Sequence, residues 1–310
     1  MRKILVTGAQ GQIGSELVPA LRDRYGAETV ISTFHRKPPE GETGPVEHLD
    51  STDAQQVDDI VRRHDIGTIY HLAAMLSATG EAQPQAAWDV NMGSLQRVLE
   101  AAHKHDCALF FPSSIGAFGL STPLDGTPQD TIQRPNTMYG VSKVSGELLC
   151  DYYAHRFGLD ARGLRYPGLI SYVTLPGGGT TDYAVDIFYR ALSDGHYTCF
   201  LAPDTRLDMM YMPDATRAAI ELMAADPATL RHRNAFNVTA ASVTPEELAT
   251  AIREHLPDFT IDYDVDPVRQ AIAESWPNSM DDSEARSQWG WAPRYDLQSM
   301  TADMLEKLSG

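Results

Sequence analysis

Tyr139 and Lys143 stand four residues apart in "MYGVSK", one helical turn from each other and so on one face. The chain has 13 Tyr and 5 Lys, so chance supplies on the order of 0.2 such pairs. An ordinary phenol, with a pKa of about 10, is a poor base at neutral pH. A neighbouring ammonium stabilises the phenolate, which then accepts the proton of a substrate hydroxyl. Two surface residues at accidental spacing are the bland alternative. Upstream, "FFPSSIGAFG" leaves Ser113 and Ser114 at the end of an apolar run, where a hydroxyl can orient a reacting oxygen. Asn91 in "DVNMGS" falls inside a helix that asparagine does not favour, which points to a polar role near the sheet.

These residues need a frame, and the apolar periodicity supplies one. Short apolar runs at 3–7, 29–33, 68–74 and 107–114 alternate with helical patterns at 13–26, 53–65, 86–105 and 138–158, and "DARGLRYPG" closes the series. Strands alternating with long helices predict right-handed crossovers and a parallel sheet covered on both faces. After about residue 165 the rhythm changes to helices at 182–194, 214–225, 245–255, 282–289 and 297–308, with short strands in "AFNV" and "TIDYDV". The two long helices 84–105 and 138–157 could pair with their mates in a homodimer.

Between the first strand and its helix, "VTGAQGQIGSEL" places Gly8, Gly11 and Gly14 at three-residue spacing. That pattern serves a tight turn, close approach of backbone to a pyrophosphate and close helix–strand packing, with the helix N-terminus facing the anion. Dinucleotide binding follows. The fold class is therefore α/β: a Rossmann-type doubly wound parallel sheet over 1–165, with a smaller C-terminal α+β substrate lobe over 166–310 and some later segments returning to the sheet. The acid that holds the ribose of NAD is missing, because Phe34 stands about 20 residues past Gly14, where it is expected. His35, Arg36 and Lys37 follow and could welcome the extra phosphate of NADP; the alternative is a solvated loop with Phe34 near the adenine. Asp50 in "HLDSTD" ends the next strand and is a candidate for the adenine amino group.

The bulk properties narrow the partners. A formal net charge of −17 opposes nucleic acid or an anionic membrane as main partner. No apolar run reaches the ~18 to 20 residues that span a bilayer, and "MRKILVTGAQGQIG" lacks the pattern of a signal peptide. Three widely spaced cysteines fit reduced thiols in a cytoplasmic or organelle-matrix protein, and no residue spacing calls for a metal.

Taken in order, the glycine triplet, "HLAA", "VNMGS", "SSIGAFG", "YGVSK" and "LRYPG" resemble the extended short-chain dehydrogenases/reductases over essentially the whole chain. The resemblance implies Tyr139 as acid/base, Lys143 as its partner and a holder of the nicotinamide ribose, and Ser114 rather than Ser113 as the orienting hydroxyl. It adds Gln12, Ile13, Leu72, Ala73, Ala74, Asn91 and Tyr166 to the NAD contacts. Nucleotide-sugar epimerases and dehydratases share these elements, but they usually carry Asn shortly after the aromatic of the sixth strand, where this chain has Pro167 and Gly168. "HLAAMLSATGE", "RYPGLISY", "PGGGTTDYAVDIFY", "CFLAPDTRLDMMYMPDATRAAIELM" and "ESWPNSMDDSEAR" resemble L-threonine 3-dehydrogenases of the superfamily. The implied activity is oxidation of the threonine β-hydroxyl with NAD to 2-amino-3-oxobutyrate.

The triple glycine of "PGGGTTDYAVD" lacks the lysine of a nucleoside-triphosphate loop. A plain linker remains one reading. In the other, Gly178 and its neighbours let backbone approach a small amino-acid substrate, and Thr180 or Thr181 caps the next helix and offers its N–H groups to a carboxylate. Leu76 and Ser77 would form the opposite wall. Trp276 in "ESWP" would close over the substrate or serve the core.

Overall fold

In the computed structural model all residues are described except Met1, Glu40, Pro176, Gly178 and 232–234, together with the side chains of Ser77 and Ala78. The chain runs β1 (Lys3–Thr7), α1 (Gly14–Tyr25), β2 (Val30–Phe34), β3 (Val46–His48), α2 (Ala54–Arg63), β4 (Ile66–His71), α3 (Ser77–Ala82), α4 (Pro84–Lys104), β5 (Ala108–Ser114), α5 (Met138–Phe157) and β6 (Ala161–Tyr166). It continues through β7 (Gly168–Ile170), α6 (Tyr183–Ser193), β8 (His196–Cys199), β9 (Leu207–Tyr211), α7 (Met212–Ala224), β10 (Phe236–Asn237), β11 (Ala241–Val243), α8 (Pro245–His255), β12 (Thr260–Tyr263), α9 (Pro267–Ala273), α10 (Ser283–Trp289) and α11 (Leu297–Ser309).

Seven strands form one parallel sheet in the order β10-β6-β5-β4-β1-β2-β3. Apolar β1, with Leu5 and Val6 fully buried, sits at its centre, as a strand covered on both faces must. One face carries a core of Val57, Leu95, Val98 and Cys150 from α2, α4 and α5; the other carries Leu17, Leu21, Ala215 and Ala219 from α1 and α7. The strand order reverses between β1 and β4. In such sheets a crevice opens there, at the carboxyl ends of the strands. The expected doubly wound fold is what the chain adopts.

Beyond β6 a third core, around Tyr183, Phe188, Met209 and Leu248, gathers α6, α8 and α11 with a three-stranded sheet (β11-β9-β7) and the parallel pair β12-β8. "AFNV" returns to the main sheet as β10 beside β6, and "TIDYDV" forms β12. The strand read as ending at Asp50 stops at His48, where Asp50 instead accepts from the Thr52 N–H at 2.9 Å and hydroxyl at 2.7 Å to close a turn.

Local chemistry sets the ends that matter for the site. Thr137 caps α5 by accepting from Gly140 N at 3.1 Å, which puts Tyr139 in the first turn and Lys143 one turn on. At the far end, Gly158 takes the left-handed conformation (φ 70°) and stops the helix.

Candidate active site

A deep cleft opens over the carboxyl ends of β1, β4, β5 and β6 and runs into the second lobe. Its first half is lined by Gly8, Gly11, Gln12, Ile13, Gly14, Leu72 and Ala74. Gly8 has φ +67°, and a Cβ there would lie 2.6 Å from Ala73 N; one on Gly14 would lie 2.6 Å from the carbonyls of Gly8 and Ala9. Both positions exclude any side chain. At Gly11 the only near atom is the Gly8 carbonyl at 3.3 Å, so its exposed backbone faces the cleft. α1 begins without a side-chain cap, which leaves its N-terminus free for an anion. This cradle fits a dinucleotide pyrophosphate. Beneath it His71 is buried, 2.8 Å from Thr7 Oγ1 and 3.1 Å from Ser94 Oγ; burial, with Lys143 adding to it, pulls its pKa down to about 3.

The middle of the cleft holds Ser114, Tyr139, Lys143 and Tyr166. Ser114 and Tyr166 are register partners on β5 and β6. Tyr139 is half-buried and lines the cleft; burial pushes its phenol up to about 12, opposed by its hydrogen bond with Ser114. Burial lowers the Lys143 ammonium to about 8, with Glu147 acting in the opposite sense. Lys143 Nζ donates to the Pro112 carbonyl at 2.7 Å and stands 5.3 Å from the centre of the Tyr139 ring. Gly116 makes the approach possible: a Cβ there would press on that ring at 3.2 Å.

Ser113 is committed elsewhere. Its hydroxyl donates to the buried Glu147, which also accepts from Arg165 at 2.8 and 3.0 Å and from Gln133 at 2.9 Å. Ser114 is thus the hydroxyl beside Tyr139. The spacing in "SKVSGE" held an unread signal, since Glu147 lies one turn after Lys143.

The far half of the cleft is lined by Leu76, Pro167, Gly168, Thr174, Leu175, Gly179, Thr180, Thr181, Asp182 and Trp276. The expected threonine cap is not the one the fold uses. α6 starts at Tyr183, Asp182 takes the N-cap position without capping its own helix, and its carboxylate accepts from Gly179 N at 2.7 Å instead. Trp276 both lines the cleft and belongs to the lobe core. Gly178 and the Ser77 side chain lie outside the described residues.

Four expected dinucleotide residues, Phe34, Asp50, Ala73 and Asn91, stand off the main cleft. Phe34 packs edge-on against His48, with ring centres 5.4 Å apart; Asp50 is held in its turn; Asn91 spends its amide on Met75 N (2.7 Å), Met75 O (3.2 Å) and Ser142 Oγ (3.1 Å). Asn91 and Ala73 line a smaller neighbouring cavity with Lys143 and His71. No group of three or more His, Cys, Asp or Glu among the described residues could hold a metal.

Comparison with known proteins decides the family. The description "NAD dependent epimerase/dehydratase family" matches residues 4–239. The chain belongs to that family. An uncharacterized epimerase/dehydratase of Staphylococcus saprophyticus is 55% identical, covering 100% of this chain and 98% of the relative. Among solved structures, L-threonine dehydrogenase from Clostridium difficile is 56% identical with a TM-score of 0.97, covering 100% of this chain and 98% of its own. The holo form of a GalE-like L-threonine dehydrogenase from Cupriavidus necator is 52% identical with a TM-score of 0.97, covering 99% of each chain. As a member of the family this chain is an NAD-dependent oxidoreductase, and its cofactor is NAD.

Proposed function

We propose that the protein oxidises the β-hydroxyl of L-threonine by hydride transfer to NAD, giving 2-amino-3-oxobutyrate. The observation that carries this reading is Gly168, the residue found where epimerases usually have Asn. A Cβ on Gly168 would lie 2.9 Å from Thr181 Cγ2 and 2.3 Å from Met209 Sδ. The missing side chain lets the 179–182 segment pack directly against the end of β6–β7, so this end is shaped for a small substrate. The full-length likeness to L-threonine dehydrogenases supports the same choice.

In this reading Gly8, Gly11, Gln12, Ile13, Gly14, Leu72, Ala74 and Tyr166 line the NAD site, with Ala73 and Asn91 shaping its floor. Phe34 and Asp50 bound its adenosine end. Bound NAD supplies the hydride acceptor and, when oxidised, a positive charge. Tyr139 takes the proton of the β-hydroxyl, Ser114 holds that oxygen by hydrogen bonding, and Lys143 holds the developing phenolate by its charge. Since burial alone favours the neutral phenol, Lys143 must be charged for Tyr139 to act. Thr180 and Thr181 offer hydroxyls to the substrate's charged ends, while Leu76 and Trp276 enclose it.

Initial rates with L-threonine and with UDP-glucose, in the presence of NAD, test the assignment. NAD reduction with threonine supports it; turnover of UDP-glucose alone would replace it with sugar-nucleotide epimerisation.

Two copies of the chain, we infer, pair through α4 and α5, whose outer faces expose Trp88, Leu148, Tyr152 and Phe157. Light scattering of the wild type and of Leu148→Glu tests this, and a wild type of monomer mass refutes it. The three buried free thiols support a reducing, cytoplasmic setting, and no helix among the described residues is long and apolar enough to cross a membrane.

A further inference from the structure

Asp208 on β9 is fully buried, and the chemistry above does not use it. Its carboxylate accepts from the Thr239 hydroxyl at 2.5 Å and from Met280 N at 2.8 Å, and its own N–H faces the Pro277 carbonyl at 3.5 Å. Its partners are thus neutral donors. The charged neighbour that acts on it is another acid, Asp282, itself paired with Arg286 at 2.7 Å. Burial pushes the Asp208 carboxyl up to about 7. A buried acid with no cation to offset it costs stability, so a fold keeps one where its acceptors hold something in place.

The held piece is the strap 276–282. It crosses between the lobe and the loop after β5, with Asn278 N on the Leu124 carbonyl at 2.9 Å and Asp281 N on the Thr127 carbonyl at 2.9 Å. Its first residue, Trp276, lines the far half of the cleft. On the same strand Met209 lies beneath Gly168, and Gly168 in turn meets Thr181. Asp208 therefore sits where two walls of the small-substrate end are tied to one strand.

We propose that Asp208 is a positioning residue for the substrate end of the cleft: its carboxylate anchors the 276–282 strap and so places Trp276 over the substrate. This rests on the functional reading above, and it separates the two halves of the cleft, because the bonds named for the strap run to Asp208, Leu124 and Thr127, none of which lines the dinucleotide half. Asp208→Asn keeps the volume, but its amide oxygen is a neutral and weaker acceptor for Met280 N than a carboxylate and its NH2 faces Thr239, so the anchor is weakened without a cavity.

The test is steady-state kinetics of wild type and Asp208→Asn, together with hydrogen exchange of the peptide covering 276–282. The expected result is faster exchange in that peptide, a roughly tenfold rise in the KM for threonine, and kcat and the KM for NAD within about twofold of wild type. Thr239→Val, which removes the other donor, moves the same quantities in the same direction, and Thr239→Ser, which keeps the hydroxyl, restores them. If Asp208→Asn does not fold, the two Thr239 variants decide. Unchanged exchange overturns the anchoring, as does faster exchange with an unchanged threonine KM or with an equal rise in the KM for NAD. A wild type inert toward threonine sinks the functional reading instead, and the exchange of the strap still decides whether Asp208 anchors it.

Discussion

The two halves of the cleft are built in opposite ways. The dinucleotide half comes largely from one continuous stretch, β1, the glycine turn and the start of α1, closed by Leu72 to Ala74 at the end of the neighbouring strand. The substrate half is assembled from Leu76, Ser114, Gly168, Thr174, Leu175, 179–182 and Trp276, drawn from across 200 residues of chain. In the first half steric need is local, since Gly8 and Gly14 are excluded from bearing side chains by backbone a few residues away or on the adjacent strand. In the second half the decisive contacts, Gly168 with Met209 and Thr181 and Asp208 with Met280, exist only once the lobe has packed. On the proposed reading the glycine turn can serve many enzymes unchanged, while the far half sets which substrate is turned over.

Tyr139 stands where the halves meet, and its loss should be the largest effect. Tyr139→Phe is expected to lower kcat by at least ~10²-fold while the Kd for NAD, read by fluorescence titration, stays near wild type. Because burial holds the phenol high, kcat/KM for oxidation should rise from about pH 6 to about pH 8 in the wild type, as more of the base form becomes available. A flat profile would take the proton away from Tyr139.

Gly168→Asn would sharpen the contrast. The new side chain must displace Met209 and Thr181, which should raise the KM for threonine roughly tenfold and cost about 1–3 kcal/mol of stability by overpacking, with the KM for NAD unchanged. Should both constants rise together, the halves are not independent.

A smaller change is expected from Thr181→Ala: a rise of about threefold to fivefold in the threonine KM, with the NAD KM unaltered. If neither moves, the triple glycine is a linker and the hydroxyl does not reach the substrate.

The smallest effect concerns stability. His71 is neutral beneath the dinucleotide turn, and its folded pKa of about 3 lies below the ordinary value of 6.5. Between those values the unfolded chain binds more protons than the folded one, so His71 contributes stability above about 6.5 that fades as pH falls toward 3. Asp208, whose folded pKa of about 7 lies above its ordinary 3.8, acts in the opposite sense over this range, so the His71 effect is read in an Asp208→Asn background, where thermal melts should show Tm falling by a few degrees from about pH 7 to about pH 5. Hydrogen exchange should rise first in peptides covering β1 and β4, and an acid response that begins in the substrate lobe would contradict this.

The halves also differ in how they could be read. Helix and strand periods located β1 to β6 and the helices between them, because each alternates apolar residues on a regular face. They missed α3, β7, β8, β9, β11 and α9, which are short and draw their stability from neighbours rather than from pattern. Tyr139 and Lys143 were legible because one helical turn is a sequence interval. Glu147 obeyed the same interval but reads as an ordinary helix residue until Ser113 and Arg165 surround it.

By itself the sequence determined the parallel sheet, the glycine turn that bears on a dinucleotide, and the Tyr–Lys pair on one helical face, since all three follow from spacings along the chain. Only the tertiary structure decided that Ser113 is spent on Glu147, that Asp182 rather than a threonine accepts from Gly179 N, and that Asp208 ties the strap of Trp276 to β9. Those outcomes depend on which distant groups compete for one hydrogen-bond partner or one pocket of space, and that competition is settled when the lobe packs onto the sheet.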